Sequence, residues 1–144
     1  GKKSLAAATL LFDVLKGYFS ILITYNFFID LIYLSALICF IGHVFPVWLK
    51  FKGGKGVATY LGVILGISFI SAIVFGITWL VMTIIFRYSS LSSIFGSMSV
   101  WLYSIYFSNE SQSYLLFFLF IFIFFTHKEN IIRLKNSKET KIKL

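Results

Sequence analysis

Residues 50–56, Lys-Phe-Lys-Gly-Gly-Lys-Gly, combine three lysines and three glycines within an apolar stretch. Glycine lets the backbone adopt positive φ and approach a ligand closely, and successive backbone N–H groups can then line an anion-binding nest. The lysines add positive charge, and a helix that follows the loop would add its N-terminal dipole. This chemistry suits a phosphate group; the alternative is a flexible basic loop on anionic lipid head groups. The candidate ligands are Lys52, Gly53, Gly54, Lys55 and Gly56.

Two histidines accompany the basic clusters. His43 precedes the glycine loop in Gly-His-Val-Phe-Pro-Val-Trp, and a lone histidine there is either a polar cap or a catalytic group. His127 lies one helical turn before Asn130, and Arg133 lies one turn further. Attraction to an anionic leaflet, about 1 kcal/mol per charge, explains the lysines that follow. It does not explain His127 and Asn130, because neither is charged at neutral pH.

Hydroxyl groups and one charge pair complete the candidate residues. Ser90 lies in the stretch Arg-Tyr-Ser-Ser-Leu-Ser-Ser, residues 87–93, where serines either cap a helix or bind phosphate or glycerol. Asp13 and Lys16 lie three residues apart within an apolar block, where a charge costs roughly 2.5–3.5 kcal/mol, so they can offset each other as an ion pair. Either the pair only orients its helix, or Lys16 helps to hold an anionic substrate. Thr9, Ser20 and Thr24 share their helical stripe.

The composition requires a membrane around these residues. Of 144 residues, 59% are hydrophobic and 12% charged, whereas soluble domains are nearer half apolar and about a quarter charged. The basic residues alternate with apolar blocks instead of lining one soluble face, which argues against nucleic acid as a partner. The blocks are residues 5–24, 29–48, 57–86, 91–107 and 113–126, and about 20 residues cross a bilayer.

Charge predicts how the 57–86 block crosses. If it crosses twice, turning near residues 66–71, twelve of the thirteen basic residues lie on one side, which the positive-inside rule makes cytoplasmic. We therefore predict an all-α fold: a polytopic transmembrane bundle of about six helices with both ends cytoplasmic. Residues 1–144 are interpreted as a single membrane domain, with 128–144 as a cytoplasmic basic tail. Gly62 and Gly66 suggest that the first of the two helices is broken or re-entrant.

Two stretches resemble signatures of a known family. Residues 42–59, GHVFPVWLKFKGGKGVAT, resemble the second signature of the bacterial integral-membrane acyl-phosphate:glycerol-3-phosphate acyltransferases, and residues 127–142, HKENIIRLKNSKETKI, are similar to the third. Residues 12–17 and 87–93 also match in order. The family's first signature, a Gly-Ser-Gly-Asn stretch with a catalytic serine and an arginine after an extra helix, is absent here. Seven helices are expected in the full-length family, so an N-terminal part is expected to be missing.

The resemblance implies a reaction and roles. A fatty acyl phosphate would acylate the 1-hydroxyl of glycerol 3-phosphate, giving lysophosphatidic acid and phosphate in phospholipid synthesis, in a bacterial inner membrane with the site facing the cytoplasm. It makes Lys55, His127, Asn130 and His43 the catalytic candidates. Phosphate binding falls to Lys52, Gly53, Gly54, Gly56, Ser90 and Arg133, with Asp13 and Lys16 as a supporting pair. The reaction calls for no metal and no cofactor, and its partners are the two substrates and membrane lipid.

Two other classes of protein stay open from the residues alone. A small membrane carrier for a phosphorylated metabolite would use the Asp13–Lys16 stripe as its path, but carriers commonly show internal repeats and none is evident. A non-catalytic scaffold that rests its basic face on lipid leaves the intramembrane pair and the glycine loop unexplained.

Overall fold

The computed structural model describes residues 3–142, and within that range every regular element is helical, as the composition predicts. Two short 3₁₀ turns, Ile29–Leu31 and Val47–Leu49, flank the second helix and interrupt the predicted continuous block 29–48. The α-helices are α1 (Lys3–Phe27), α2 (Ile32–Val44), α3 (Val57–Ile67), α4 (Phe69–Phe86), α5 (Ser89–Phe107), α6 (Glu110–Thr126) and α7 (Lys128–Lys135).

Among residues 3–142, three segments are long and apolar enough to cross a bilayer: Lys3–Phe27, Ile29–Leu49 and Phe69–Phe86. Helices α6 and α7 meet at a bend of 56° and could together form a fourth span. Helix α3 has 11 residues and is roughly 16 Å long at 1.5 Å per residue, about half of the hydrocarbon thickness. These lengths agree with a polytopic membrane protein, while six full crossings stay a prediction.

The apolar run 57–86 divides into two helices within the predicted turn region, residues 66–71. Helix α3 ends at Ile67, Ser68 is extended with φ −154°, and α4 begins at Phe69. The suggestion that α3 is itself broken is wrong, because Gly62 and Gly66 lie inside one continuous helix, while the alternative that this short helix is re-entrant stays a prediction. Both are packing positions instead: a Cβ at Gly62 would collide with the Val14 carbonyl oxygen, and one at Gly66 would lie 2.7 Å from Ile21 Cβ.

The chain forms two compact units, one up to Phe69 and the other from Ile70 onward. In the first unit, α1 packs along α3 and also against α2. Gly17 allows the close approach of α1 and α3, since a Cβ there would lie 2.5 Å from the Thr59 carbonyl oxygen. This packing fixes the middle of α1, where the predicted charge pair lies.

In the second unit, α5 packs against α6, and side-chain hydrogen bonds join α4 to α5. Thr83 donates to Ser92 at 2.9 Å, and Ser99 donates to Thr78 at 3.0 Å. Small hydroxyl residues suit such contacts because they let helices approach closely in a membrane. The prediction of one membrane domain over residues 1–144 stays a prediction, and Lys2 and Lys143 lie outside the described residues.

Candidate functional site

The glycine loop folds back onto the end of α2. The Gly53 N–H donates to the Val44 carbonyl at 3.2 Å, and a Cβ at Gly53 would lie 2.5 Å from Pro46 Cδ. A Cβ at Gly54 would collide with His43 Nε2. At Gly53 the nearest atoms include backbone, so close packing against α2 requires glycine there, whereas at Gly54 glycine leaves room for the end of the His43 side chain. Both reasons differ from the predicted need for positive φ.

Positive φ is required at Gly56, as predicted for the loop. Its φ is +85°, and it is the N-cap residue of α3 without a side-chain cap. The backbone N–H groups of the first turn of α3 thus have no capping side chain, and the positive end of the helix dipole lies beside the loop. Lys52 and Lys55 are exposed on the same loop, so this surface is suited to an anion.

The predicted ion pair in α1 exists and extends to a histidine of α2. Lys16 Nζ lies 2.5 Å from Asp13 Oδ1 and 2.6 Å from His43 Nδ1. An ammonium group can only donate, so Nδ1 accepts and the neutral imidazole carries its proton on Nε2. That nitrogen faces Gly54. Lys16 therefore sets the tautomer of His43 and directs its N–H toward the glycine loop.

These groups line one cavity of about 470 Å³ within the first unit. Asp13, Lys16 and His43 contribute side chains to it, and Gly53 and Gly54 contribute the loop. The predicted residues Lys52, Lys55 and Gly56 belong to the same loop but do not line this cavity. The cavity thus joins a cation, an imidazole N–H and exposed loop backbone, which together can bind an anionic head group.

A second cluster, in the second unit, is built around Glu139. Asn130 Nδ2 and Ser90 Oγ donate to its Oε1 at 2.6 and 2.8 Å, and Arg133 Nε donates to its Oε2 at 2.7 Å. The Glu139 side chain is only 9% exposed. Three residues predicted to contact substrate therefore converge on one carboxylate of the chain itself, so this set of donors is arranged to hold an anion.

The acidity of Glu139 reflects these contacts. Burial by itself would raise the pKa of this carboxyl, but hydrogen bonds from Asn130, Arg133 and Ser90, together with the Arg133 charge, lower the pKa below its ordinary value of 4.5. Hydrogen bonds to the ionised form of a carboxyl favour that form. Glu139 is consequently an anion at neutral pH and holds its three donors in fixed directions.

His127 lies at the bend between α6 and α7. It is 2% exposed, and its Nδ1 lies 2.7 Å from the Ile123 carbonyl oxygen. A carbonyl can only accept, so Nδ1 carries a proton and donates to Ile123. One turn on, Asn130 is 5% exposed, and its Oδ1 has no hydrogen-bond partner among the described residues. Such a buried unpaired acceptor is uncommon and marks a place where a ligand can donate.

Within the predicted basic tail 128–144, residues 128–135 form α7 and residues 136–142 make hydrogen bonds near the start of α5, while the prediction that this tail is cytoplasmic stays a prediction. Arg87 and Ile142 exchange two hydrogen bonds: Ile142 N to the Arg87 carbonyl at 2.7 Å, and Arg87 Nε to the Ile142 carbonyl at 3.1 Å. Lys141 Nζ lies 5.7 Å from the centre of the Tyr88 ring. Glu139 lies between these contacts and α7 in the sequence, and its hydrogen bond from Ser90 attaches the tail to α5.

Glu139 is the site residue that sequence reasoning missed. The tail is basic, and a glutamate among its lysines is typical of a solvent-exposed residue that only balances their positive charge. The one sequence feature that distinguishes Glu139 is that no other acidic residue follows Glu129. Its partner Ser90 is 49 positions away, a distance that no local pattern covers.

Comparison with known proteins gives consistent matches. The family model described as glycerol-3-phosphate acyltransferase matches residues 1–137. A glycerol-3-phosphate acyltransferase from Pelagibacter ubique (strain HTCC1062) is 47% identical over 144 residues, covering 100% of this chain and 75% of the relative. One from Ehrlichia canis (strain Jake) is 48% identical, covering 97% and 74%.

Solved structures are similar too. The crystal structure of PlsY (YgiH), an integral membrane glycerol 3-phosphate acyltransferase, in its glycerol 3-phosphate form, superposes with a TM-score of 0.90 at 31% identity, covering 98% of this chain and 72% of that one. Its lysophosphatidic acid form gives a TM-score of 0.89.

Proposed function

The chain belongs to the glycerol-3-phosphate acyltransferase family, and on this premise we propose that it takes its fatty acyl group from an acyl phosphate. Acyl transfer to glycerol 3-phosphate in phospholipid synthesis is the activity of the family. The donor follows from the resemblance of residues 42–59 and 127–142 to the acyl-phosphate-dependent signatures. The observation that supports the proposal is the packing of the glycine loop against His43, because Lys16, His43 and the loop line one cavity whose chemistry suits a phosphate.

The reaction needs little chemistry from the protein. The 1-hydroxyl oxygen of glycerol 3-phosphate forms a bond to the acyl carbonyl carbon. The bond from that carbon to the phosphate oxygen breaks, and its electron pair leaves with inorganic phosphate. The hydroxyl proton passes to a phosphate oxygen of a substrate. Because the donor is already activated, the protein contributes mainly orientation and charge stabilisation.

The first unit supplies the binding of a phosphate. We assign Lys55 to the neutralisation of phosphate charge, with Lys52 beside it. The hydrogen-bond donors would be loop N–H groups beyond Gly53, because the N–H groups of Lys52 and Gly53 bond to Leu49 and Val44. The His43 Nε2–H, directed at Gly54 by Lys16, adds a further donor. Asp13 keeps Lys16 in place, which is a positioning role.

Charge that develops at the carbonyl is assigned to two residues near the bend between α6 and α7. His127 and Asn130 are the proposed catalytic pair, with the unpaired Asn130 Oδ1 as an acceptor for a substrate hydroxyl. Ser90 already donates its proton to Glu139, so direct phosphate binding by Ser90 requires exchange of that hydrogen bond. Arg133 uses Nε on Glu139, and its Nη1 lies 4.0 Å from the exposed carboxylate of Glu129, so phosphate binding would use its other N–H donors.

The donor is tested by comparing acyl phosphate with acyl-coenzyme A as the only acyl source for glycerol 3-phosphate. We expect lysophosphatidic acid and inorganic phosphate in equal amounts from acyl phosphate, and no product from the thioester. Equal rates from both donors would contradict the proposed donor while leaving the family's acyl transfer intact.

We also propose a bacterial inner-membrane location, with both ends of the chain and the 50–56 loop cytoplasmic. The support is the sidedness of the basic clusters against Asp30 and Glu110. Cysteines introduced at positions 52 and 110, in a background without Cys39, should be labelled from opposite sides of the membrane. Labelling of both from one side would refute the orientation.

A further inference from the structure

A cavity of about 450 Å³ lies in the second unit, where α5 and α6 meet at their connecting turn. Along each helix its lining residues follow at intervals of four and three, which places them on one helical face. The walls include Trp101, Ile105 and Ser108 of α5, and Glu110, Tyr114 and Phe117 of α6. None of these residues is assigned a part in acyl transfer, so the cavity needs an explanation of its own.

Glu110 brings a carboxylate to this cavity without a counter-ion. It is the only charged residue between Arg87 and Lys128 in the sequence, and within residues 3–142 its side chain has no hydrogen bond or ion pair. The helix does not need it as a cap, because Asn109 accepts the hydrogen bond of the Gln112 N–H at 2.9 Å. The helix dipole favours a carboxylate at this position but does not require a cavity beside it. The charge of Glu110 is therefore available to a cationic group.

Aromatic rings line the cavity on the bilayer side of this carboxylate. Tyr114 lies one helical turn after Glu110, so an ammonium group on the carboxylate can also contact the Tyr114 ring as a cation–π pair. One turn deeper, the ring centres of Trp101 and Phe117 lie 4.9 Å apart, and Trp101 also stacks on Phe120 at 5.9 Å. The deeper rings thus form a fixed apolar wall that suits hydrocarbon.

The change from polar to apolar along the cavity matches the depth profile of a bilayer surface. From Glu110 to Phe117 the helix advances roughly 10 Å at 1.5 Å per residue, slightly more than the head-group layer on one side of a membrane. Tyrosine and tryptophan are enriched at this depth. Ile105 and Tyr114 are 49% and 63% exposed, so the cavity opens sideways and a lipid can enter it from the bilayer.

We propose that this cavity binds the head group of a zwitterionic aminophospholipid, with the ammonium on Glu110 and the acyl chains against Trp101 and Phe117. The Ser108 hydroxyl has no side-chain partner in the described part of the chain, so it is available to donate to the lipid phosphate. A head group with a phosphate and no amine would bring like charge to Glu110, which disfavours it. The proposal does not depend on the identity of the acyl donor.

The first test titrates the protein in detergent with phosphatidylethanolamine and measures the bound lipid by native mass spectrometry. Glu110→Gln should weaken binding by about tenfold, the lower end of the loss expected for a hydrogen bond to a charged group, because Glu110 is exposed. Glu110→Lys should weaken it further, since an ammonium would then face an ammonium. Asp30→Asn is the matched control, because Asp30 is an exposed acid that does not line this cavity. Wild-type binding by Glu110→Gln, a Glu110→Lys variant that binds no more weakly than Glu110→Gln, or an equal loss in Asp30→Asn would overturn the proposal.

The second test locates the lipid on the unaltered protein and separates a lipid from a soluble amine. Phosphatidylethanolamine with a diazirine near the glycerol end of one acyl chain is cross-linked in vesicles, and the labelled peptides are identified by their mass. We expect the label within residues 101–117. A tenfold excess of unlabelled phosphatidylethanolamine should reduce it by about tenfold, as competition for one site requires, while free phosphoethanolamine should leave it unchanged. Label elsewhere, no reduction by the unlabelled lipid, or equal competition by free phosphoethanolamine would overturn the proposal.

Discussion

Removal of the Glu139 carboxylate should release the tail from α5. Glu139→Ala deletes the acceptor of three hydrogen bonds of 2.6–2.8 Å and leaves Asn130 and Arg133 without their shared partner. A hydrogen bond to a charged group contributes about 1.5–3 kcal/mol. The Arg133 side chain is 43% exposed, and solvent compensates part of its loss, so we expect the docked tail to lose about 3 kcal/mol in total rather than three full contributions.

Limited trypsin digestion measures this release. Lys138 and Lys141 flank Glu139 on the tail, and cleavage of a transiently opened segment follows its open population. A loss of about 3 kcal/mol corresponds to roughly a hundredfold faster cleavage there, at 1.4 kcal/mol per tenfold.

The matched control is Glu129→Ala. Glu129 is 77% exposed and lies 4.0 Å from Arg133, so its removal should change the cleavage rate little. If Glu139→Ala is cut at the wild-type rate, or Glu129→Ala is cut equally fast, the tail is not held by Glu139 and the reasoning is refuted.

Two more predictions concern stability. The docked tail should be equally protected from hydrogen exchange from neutral pH down to about 5, and should lose protection as the pH falls below 4.5, the ordinary pKa of a glutamate. The reason is that a carboxyl whose pKa is lowered by folding stabilises the fold above its unfolded pKa and stops doing so as it protonates. This pH dependence should vanish in Glu139→Gln, and its persistence there would assign it to another group. Gly62→Ala should destabilise the protein by about 1–3 kcal/mol, since its Cβ would meet the Val14 backbone. Gly76→Ala, with no neighbour within 4 Å, should be neutral or stabilising by about 0.5–1 kcal/mol. Thermal unfolding in detergent measures both variants, and equal effects would contradict the packing argument.

The helices could be predicted because each apolar block is bounded by polar or basic residues. Helix α5 ends at Phe107 as predicted, and the division of the 57–86 run follows from the side on which Arg87 must lie. The Asp13–Lys16 pair could be predicted because its spacing is local to one helix.

Non-local contacts account for what sequence reasoning missed. No residue near Glu139 in the sequence predicts its hydrogen bond to Ser90, which lies 49 positions away. Likewise, Gly53 and Gly54 were expected to be glycines for their backbone freedom, whereas in the structure both pack against α2. The imidazole tautomer of His43 depends on Lys16, 27 positions earlier, through a contact between helices.

The central claim, that the glycine loop binds substrate phosphate, is tested most directly by the rate of glycerol 3-phosphate acylation after Lys55→Ala. We predict a loss of about tenfold or more, and incomplete recovery in Lys55→Arg, because a planar guanidinium does not replace a compact ammonium on a tight loop. Lys141→Ala, which removes a tail lysine near Tyr88, should leave the rate nearly unchanged. Equal losses from Lys55→Ala and Lys141→Ala would contradict the claim and favour a basic surface that only contacts lipid.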